Sequence, residues 1–200
     1  MPTMTPLPHQ TIGAEFLADR RVALLADEPR VGKTGAAILA TDDTLASRVL
    51  IVTTASGRPV WVRGFRDWSA FDIPTRAVYG ELGGLDGDLR LIVSWSEIAK
   101  HAEALGKVQW DVLILDESHY AKSPGTKRTQ AVYGTFRGAS RGWGVCDAAA
   151  RVWCLTGTPI PNAPNDLYPM LRALDGARIE DVLKYEDFLH RYCIVKKKAI

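Results

Sequence analysis

The sequence predicts an α/β fold: a mostly parallel sheet with helices on both faces. Three observations carry that expectation. Short runs that are apolar throughout recur along the 200 residues, longer amphipathic segments separate them, and a hydrophobic content of 46% is enough for one well-cored domain. Unbroken apolar runs suit strands buried on both faces, and their alternation with helices calls for right-handed crossovers.

In chain order, a helix is expected near 10–19, then a strand at VALLA (22–26) and a helix at 33–41. The β-branched run VLIVT (49–53) is the next strand, with a helix at 59–69 after it. RAVYG (76–80), with Thr75 before it, and LIVS (91–94) are two further strands, followed by a helix at 95–104. DVLIL (111–115) and VWCL (152–155) complete the sheet, with helical patterns at 126–136, 165–174 and 181–192. Gly138 to Ala150, rich in Gly and Ala between Arg137 and Arg151, reads as an exposed connection. No repeat or low-complexity tract interrupts the pattern.

Composition narrows the function classes. The 25 Lys and Arg against 23 Asp and Glu leave a charge of +2, so a nucleic-acid surface must come from local arrangement. Cys146, Cys154 and Cys193 are odd in number and lack C-x-x-C spacing, which indicates neither a disulfide framework nor a zinc site and points to an intracellular chain with inert thiols. The start MPTMTPLPHQ has no basic segment followed by an apolar one, and no later run approaches the ~20 apolar residues of a membrane span.

Three segments carry chemistry. The first is ADEPRVGKT, Ala26 to Thr34, between the strand VALLA and the helical TGAAILA. Strand, loop and helix in that order let successive N–H groups surround a phosphate, with Gly32 giving close approach. Lys33 is positioned to reach the β- and γ-phosphates, and the Thr34 hydroxyl to take a magnesium position. The second is WDVLILDESHY, where Asp116 and Glu117 follow a buried strand at the end where parallel sheets bind ligands. Asp116 is the candidate magnesium carboxylate, Glu117 the group that polarises the attacking water, and His119 a relay to neighbouring motifs. The third is LTGTPIPN (155–162), where Thr156, Gly157 and Thr158 form a polar turn and Pro159 and Pro161 block an immediate helix.

Together DEPRVGKT, DESH and LTGTPIPN resemble the first RecA-like lobe of a superfamily-two helicase, within it the Swi/Snf family of duplex-DNA translocases. The resemblance extends over nearly the whole chain and implies a P-loop NTPase lobe at 1–175, with a helical segment at 176–200 leading towards a missing second lobe. The family's first motif reads D-E-x-G-L-G-K-T, so Asp27 is its usual residue and Glu28, Pro29 and Val31 complete the nucleotide loop. Arg30 is a departure from the glycine most often found there. With Gly32, Lys33 and Thr34 intact, Arg30 is expected at φ < 0, its guanidinium solvated or turned towards the nucleotide or the opposing lobe.

The same resemblance gives Gln10, in LPHQ, an adenine contact. It assigns sequence-independent DNA-backbone contacts to Ser56, Gly57, Arg58 and Arg63, with Arg66 nearby, and another to Ser94 in SWSEIAK. DESHYAKSPGTKRTQA adds a basic patch at Lys122, Lys127 and Arg128. It is similar to the form in phage and bacterial members and in annealing-helicase-like relatives, as is EDFLHRYCIVKKK. That implies a cytoplasmic protein of a bacterial host cell, phage-encoded in one version. The implied ligands are ATP, Mg2+, double-stranded DNA and a second RecA-like lobe, which does not fit into the residues after the third motif. Without the arginine such a lobe supplies, this chain is expected to bind ATP and hydrolyse it slowly. A different superfamily-two motor, such as an RNA helicase or restriction-subunit translocase, and a non-hydrolysing binding module remain open alternatives.

Overall fold

The apolar runs pair with one another because their main-chain N–H and C=O groups need partners away from water. In the computed structural model, which describes residues 3–174 and 184–193, the strands are β1 (Val22–Leu25), β2 (Arg48–Thr53), β3 (Thr75–Ala77), β4 (Leu89–Ser94), β5 (Trp110–Asp116), β6 (Phe136–Arg137), β7 (Ser140–Arg141) and β8 (Ala149–Leu155). Six of them form one sheet in the order β1-β8-β5-β2-β4-β3, all neighbours parallel, while β6 and β7 pair as a small antiparallel ribbon.

Alternate residues of each strand feed two separate cores. Val49, Ile51, Ile92, Val112, Ile114 and Trp153 face helices α1 (Pro8–Ala18), α2 (Lys33–Asp43) and α3 (Arg58–Trp68). Leu50, Val52, Leu91, Val93, Leu113, Leu115 and Cys154 face α4 (Ile98–Gly106) and α5 (Lys127–Tyr133). Two further helices, α6 (Tyr168–Leu174) and α7 (Tyr185–Tyr192), close the described chain, and Tyr168 and Phe188 pack together between them. Among the described residues no helix is long and apolar enough to cross a membrane.

Several boundaries differ from the sequence expectation. The third strand stops at Ala77 because Gly80, at φ +90, turns the chain so that Tyr79 pairs with Glu81. The fourth helix begins at Ile98, after a turn at Trp95–Glu97, and α5 ends at Tyr133, where Gly134 takes φ +84. A 3-10 turn at Pro164–Leu167 precedes α6. The segment Gly138 to Ala150 is not simply an exposed connection: Val145, Cys146 and Ala148 are buried in a 3-10 turn within the core facing α4 and α5. The expected domain boundary at 175/176, the residues 181–183 of the last helical pattern and the terminal IVKKKAI lie outside the described residues.

Candidate active site

A parallel sheet brings the carboxyl ends of its strands to one edge, and register aligns them. Leu25 pairs with Leu155, Leu155 with Asp116, and Thr53 with Ser94. The segments at 26–32, 54–57, 95–97, 117 and 156–158 therefore leave the sheet side by side.

The loop expected to hold a nucleotide runs from β1 into α2. Gly32 caps α2 at φ +88, a left-handed conformation suited to glycine, and a Cβ there would lie 2.1 Å from Gln10 Nε2. Gln10 is buried, donates to Gly32 O (3.2 Å) and accepts from Leu7 N (2.9 Å), so it braces the loop from α1. His9 Nε2 donates to Val31 O (2.8 Å), because a carbonyl only accepts. Lys33 Nζ is held over the loop by Asp27 O and Glu28 O, both at 2.8 Å. Arg30 corrects the expectation of φ < 0: it sits at φ +69, in the left-handed region that favours glycine, with its side chain exposed. The turn geometry overrides the steric preference of the side chain. Beside the loop, a cavity of about 590 Å³ opens between α1 and β1, lined by Phe16, Ile12, Leu25, Asp27 and Val31 among others.

Asp116 ends β5 and is gripped on one oxygen. Its Oδ2 accepts from Thr53 Oγ1 (2.7 Å) and Trp61 Nε1 (2.9 Å), while its main-chain O accepts from Trp95 Nε1 (2.8 Å). Glu117 follows at φ +51, a strained position for a non-glycine residue of the kind that clusters at functional sites. Its Oε2 lies 3.2 Å from His119 Nδ1, and that nitrogen is 3.0 Å from Thr156 Oγ1 and 3.3 Å from Thr158 Oγ1. Thr156 is buried and accepts from Thr158 N (3.1 Å). Gly157 abuts the nucleotide loop so closely that a Cβ would come within 2.8 Å of Pro29 Cγ. Segments more than a hundred residues apart thus form one assembly.

The residues expected at DNA divide into two groups. Ser56 and Arg63 are exposed and Gly57 half-buried at the start of α3. Arg58 and Ser94 are instead turned inward, which corrects the expectation of free phosphate contacts. Arg58 pairs with Glu97, donates to Val78 O and lies 4.1 Å from the centre of the Tyr79 ring. Ser94 is fully buried and hydrogen-bonds Ser96 (2.8 Å) and Glu97 (2.9 Å). Burial pushes the Glu97 carboxyl up, but the Gly80 N–H, the Ser94 hydroxyl and Arg58 together hold it below the ordinary carboxylate range. In the basic patch, Lys122 reaches Asp166 (3.9 Å) and Arg128 lies over the Tyr120 ring (5.5 Å). Thr53, Trp61, Trp95 and Glu97 escaped sequence reading; for Thr53, Trp95 and Glu97 the signal available was a polar or indole side chain at or just beyond the end of a buried strand, whereas Trp61 lies within α3 and carried none.

The family model of the SNF2-related domain matches residues 9–199. The chain is 30% identical over 196 residues to the SWI/SNF-related matrix-associated actin-dependent regulator of chromatin subfamily A-like protein 1 of Xenopus tropicalis, covering 96% of this chain and 19% of that protein. It is 29% identical over 185 residues to the uncharacterized ATP-dependent helicase YqhH of Bacillus subtilis, covering 87% of this chain and 30% of that one. The chain therefore spans less than a third of either relative. The SWI2/SNF2 ATPase core of Sulfolobus solfataricus in complex with dsDNA has the same fold, with a TM-score of 0.76 at 19% identity over 95% of this chain and 39% of that one.

Proposed function

The chain belongs to the SNF2-related domain family, and from that premise we propose that it is the ATP-binding lobe of a DNA-dependent ATPase that moves on or remodels duplex DNA when paired with a second lobe. The observation that carries this reading is the assembly on the carboxyl edge: the loop bearing Lys33 touches Gly157 through Pro29, and His119 gathers Glu117, Thr156 and Thr158.

The residues fit a magnesium nucleotide. Helix α2 starts without a side-chain cap, which leaves its first-turn N–H groups for phosphate oxygens. The Asp116 carboxylate is held by Oδ2 alone, so Oδ1 is available, and with the Thr34 hydroxyl it would hold the metal. When bound, magnesium neutralises charge between the phosphates. Lys33 leaves the Asp27 and Glu28 carbonyls for the β- and γ-phosphates. Glu117 orients the attacking water, and His119 passes the state of that carboxylate to Thr156 and Thr158. Gln10 reads the adenine edge while bracing Gly32. Asp27, Glu28, Pro29, Arg30 and Val31 shape the loop.

Duplex DNA is the partner we propose for α3, where Ser56 and Gly57 before its first turn and Arg63 midway along it meet backbone phosphates without reading sequence. Arg58 and Ser94 support that surface from beneath. The lobe alone turns ATP over slowly, because an arginine supplied from outside the lobe is worth about 10³- to 10⁵-fold in related NTPases. The bacterial cytoplasm is the setting we propose, in keeping with three unpaired thiols and the Bacillus subtilis relative.

The test is calorimetric titration of a non-hydrolysable Mg-ATP analogue into the chain and into Lys33→Ala. Micromolar to sub-millimolar binding, lost in the variant, is expected. No binding by a folded wild-type chain would remove the nucleotide reading, and equal affinity for duplex RNA in competition would remove the preference for DNA.

A further inference from the structure

We propose that Trp61 and Trp95 are positioning residues that transmit DNA engagement to the metal-binding carboxylate of Asp116. The inference rests on the nucleotide and DNA reading above and specifies how its two sites are connected.

A buried indole N–H needs an acceptor. Trp61 is 1% exposed and Trp95 3%, so each N–H must find its partner within the protein. Both choose the same residue. Trp61 Nε1 donates to Asp116 Oδ2 (2.9 Å), and Trp95 Nε1 donates to Asp116 O (2.8 Å). The two indoles come from the segments after β2 and after β4, not from the nucleotide loop. Trp61 stands one turn into α3, whose exposed start carries Ser56 and Gly57. Trp95 follows Ser94 and belongs to the turn that holds Glu97 against Arg58, the first residue of α3. Its ring also stacks on Tyr120 (6.4 Å between centres, 10° between planes), next to His119.

Asp116 is thus held at its carboxylate by Trp61 and at its main-chain carbonyl by Trp95, from the two segments that the proposed function assigns to DNA. Close-packed interiors pass on displacements of this kind. A phosphate that draws the start of α3 outward tilts Trp61 within the same helix, and its N–H shifts or releases Oδ2. Thr53, which bonds the same oxygen (2.7 Å), sits on β2 and stays with the sheet. Its hydroxyl also abuts Gly57 at the start of α3, but its backbone is fixed by pairing with Ser94, so it anchors Asp116 from the sheet whereas Trp61 moves with the helix. The difference between these two donors makes the inference testable.

The experiment is the thermodynamic linkage between two ligands in this chain: the Mg-ATP analogue titrated calorimetrically with and without saturating duplex DNA, and the DNA titrated with and without the analogue. Such couplings run from about fivefold upward and are equal in both directions. The wild-type chain is expected to show one. Trp61→Phe keeps an aromatic ring but loses the indole N–H; like Thr53→Val it removes one donor to Oδ2 and is expected to need more Mg2+ for analogue binding, and in addition to show a coupling factor close to one. Thr53→Val removes the other donor to Oδ2 and is expected to raise the Mg2+ concentration needed for analogue binding while retaining the coupling. Should Trp61→Phe fail to fold by near-UV circular dichroism, Trp95→Phe carries the same expectation for the coupling.

Wild-type coupling in Trp61→Phe would overturn the proposal. So would an equal loss in Thr53→Val, which would reduce the effect to carboxylate positioning alone, or the absence of linkage in a wild-type chain that binds both ligands. A wild-type chain that binds neither ligand would remove the functional reading itself.

Discussion

Replacing Arg30 with glycine is expected to stabilise the chain. Arg30 holds φ +69, where an L side chain costs about 1–2 kcal/mol relative to the right-handed region. Glycine removes that cost but is freer when unfolded, which takes back roughly 0.5–1 kcal/mol. Arg30 is exposed and makes no hydrogen bond or ion pair among the described residues, so little contact energy is lost with it. The net gain is about 0.5–1 kcal/mol, a rise of about 1–4 °C in Tm for a chain of this size. Arg30→Ala is the control, because it removes the guanidinium but keeps the Cβ and therefore the strain. Thermal and urea unfolding of the three chains side by side reads the difference. An Arg30→Gly chain no more stable than wild type, or an Arg30→Ala chain equal to it, would refute the strain argument. The Mg-ATP analogue titration adds a functional arm: the loop already has its glycine-like path, so Arg30→Gly should bind nearly as well as wild type. A loss beyond about tenfold would assign the guanidinium more than about 1.4 kcal/mol of nucleotide binding.

Asp42→Ala is expected to destabilise the chain by about 3–5 kcal/mol, because it strips the fully buried Arg90 of its carboxylate and leaves the guanidinium to Ser69 Oγ and Phe71 O. A loss under about 1 kcal/mol in urea unfolding would show that those two oxygens suffice. Glu97 has a depressed folded-state pKa, so its contribution to stability is present above the unfolded carboxylate value and is lost as pH falls through the folded value. The stability gap between wild type and Glu97→Gln is therefore expected to be largest near neutrality and to close in acid; a gap that persists at the lowest pH where the chain folds would contradict this. Burial pushes the Cys146 and Cys154 thiols up to about 12, whereas Cys193 is partly exposed. A thiol reagent at pH 8 should modify Cys193 in the native chain and the other two only after unfolding, and rapid native labelling of Cys154 would show the sheet core to be open.

Much of the fold was legible because buried parallel strands leave a plain signature. Runs such as VLIVT and DVLIL are apolar on both faces, and the structure buries them between two helical layers. The weak readings fell where the signal is local geometry. The third strand ends short of a positive-φ glycine, and the segment after Arg137 is exposed at 138–140 but buried at Val145, Cys146 and Ala148; small residues carry no pattern that distinguishes a tight core turn from a surface loop. The site showed the same division. Lys33, Asp116 and Glu117 stand out by residue type beside a strand, while nothing in the sequence distinguishes Trp61 and Trp95 from other aromatics; what sets them apart is the acceptor of their N–H.

The sequence by itself determined the class of fold, the order of strands and helices along the chain, and the residue types available at each strand end, because burial pattern and motif spacing are local properties of the chain. Only the tertiary structure decided which strands adjoin, that Arg30 takes a glycine's backbone conformation, that Arg58 and Ser94 turn inward, and that two indoles from separate loops meet on one aspartate. Those outcomes depend on sheet order and register, which place residues from distant segments within hydrogen-bond distance; no spacing within a single segment encodes them.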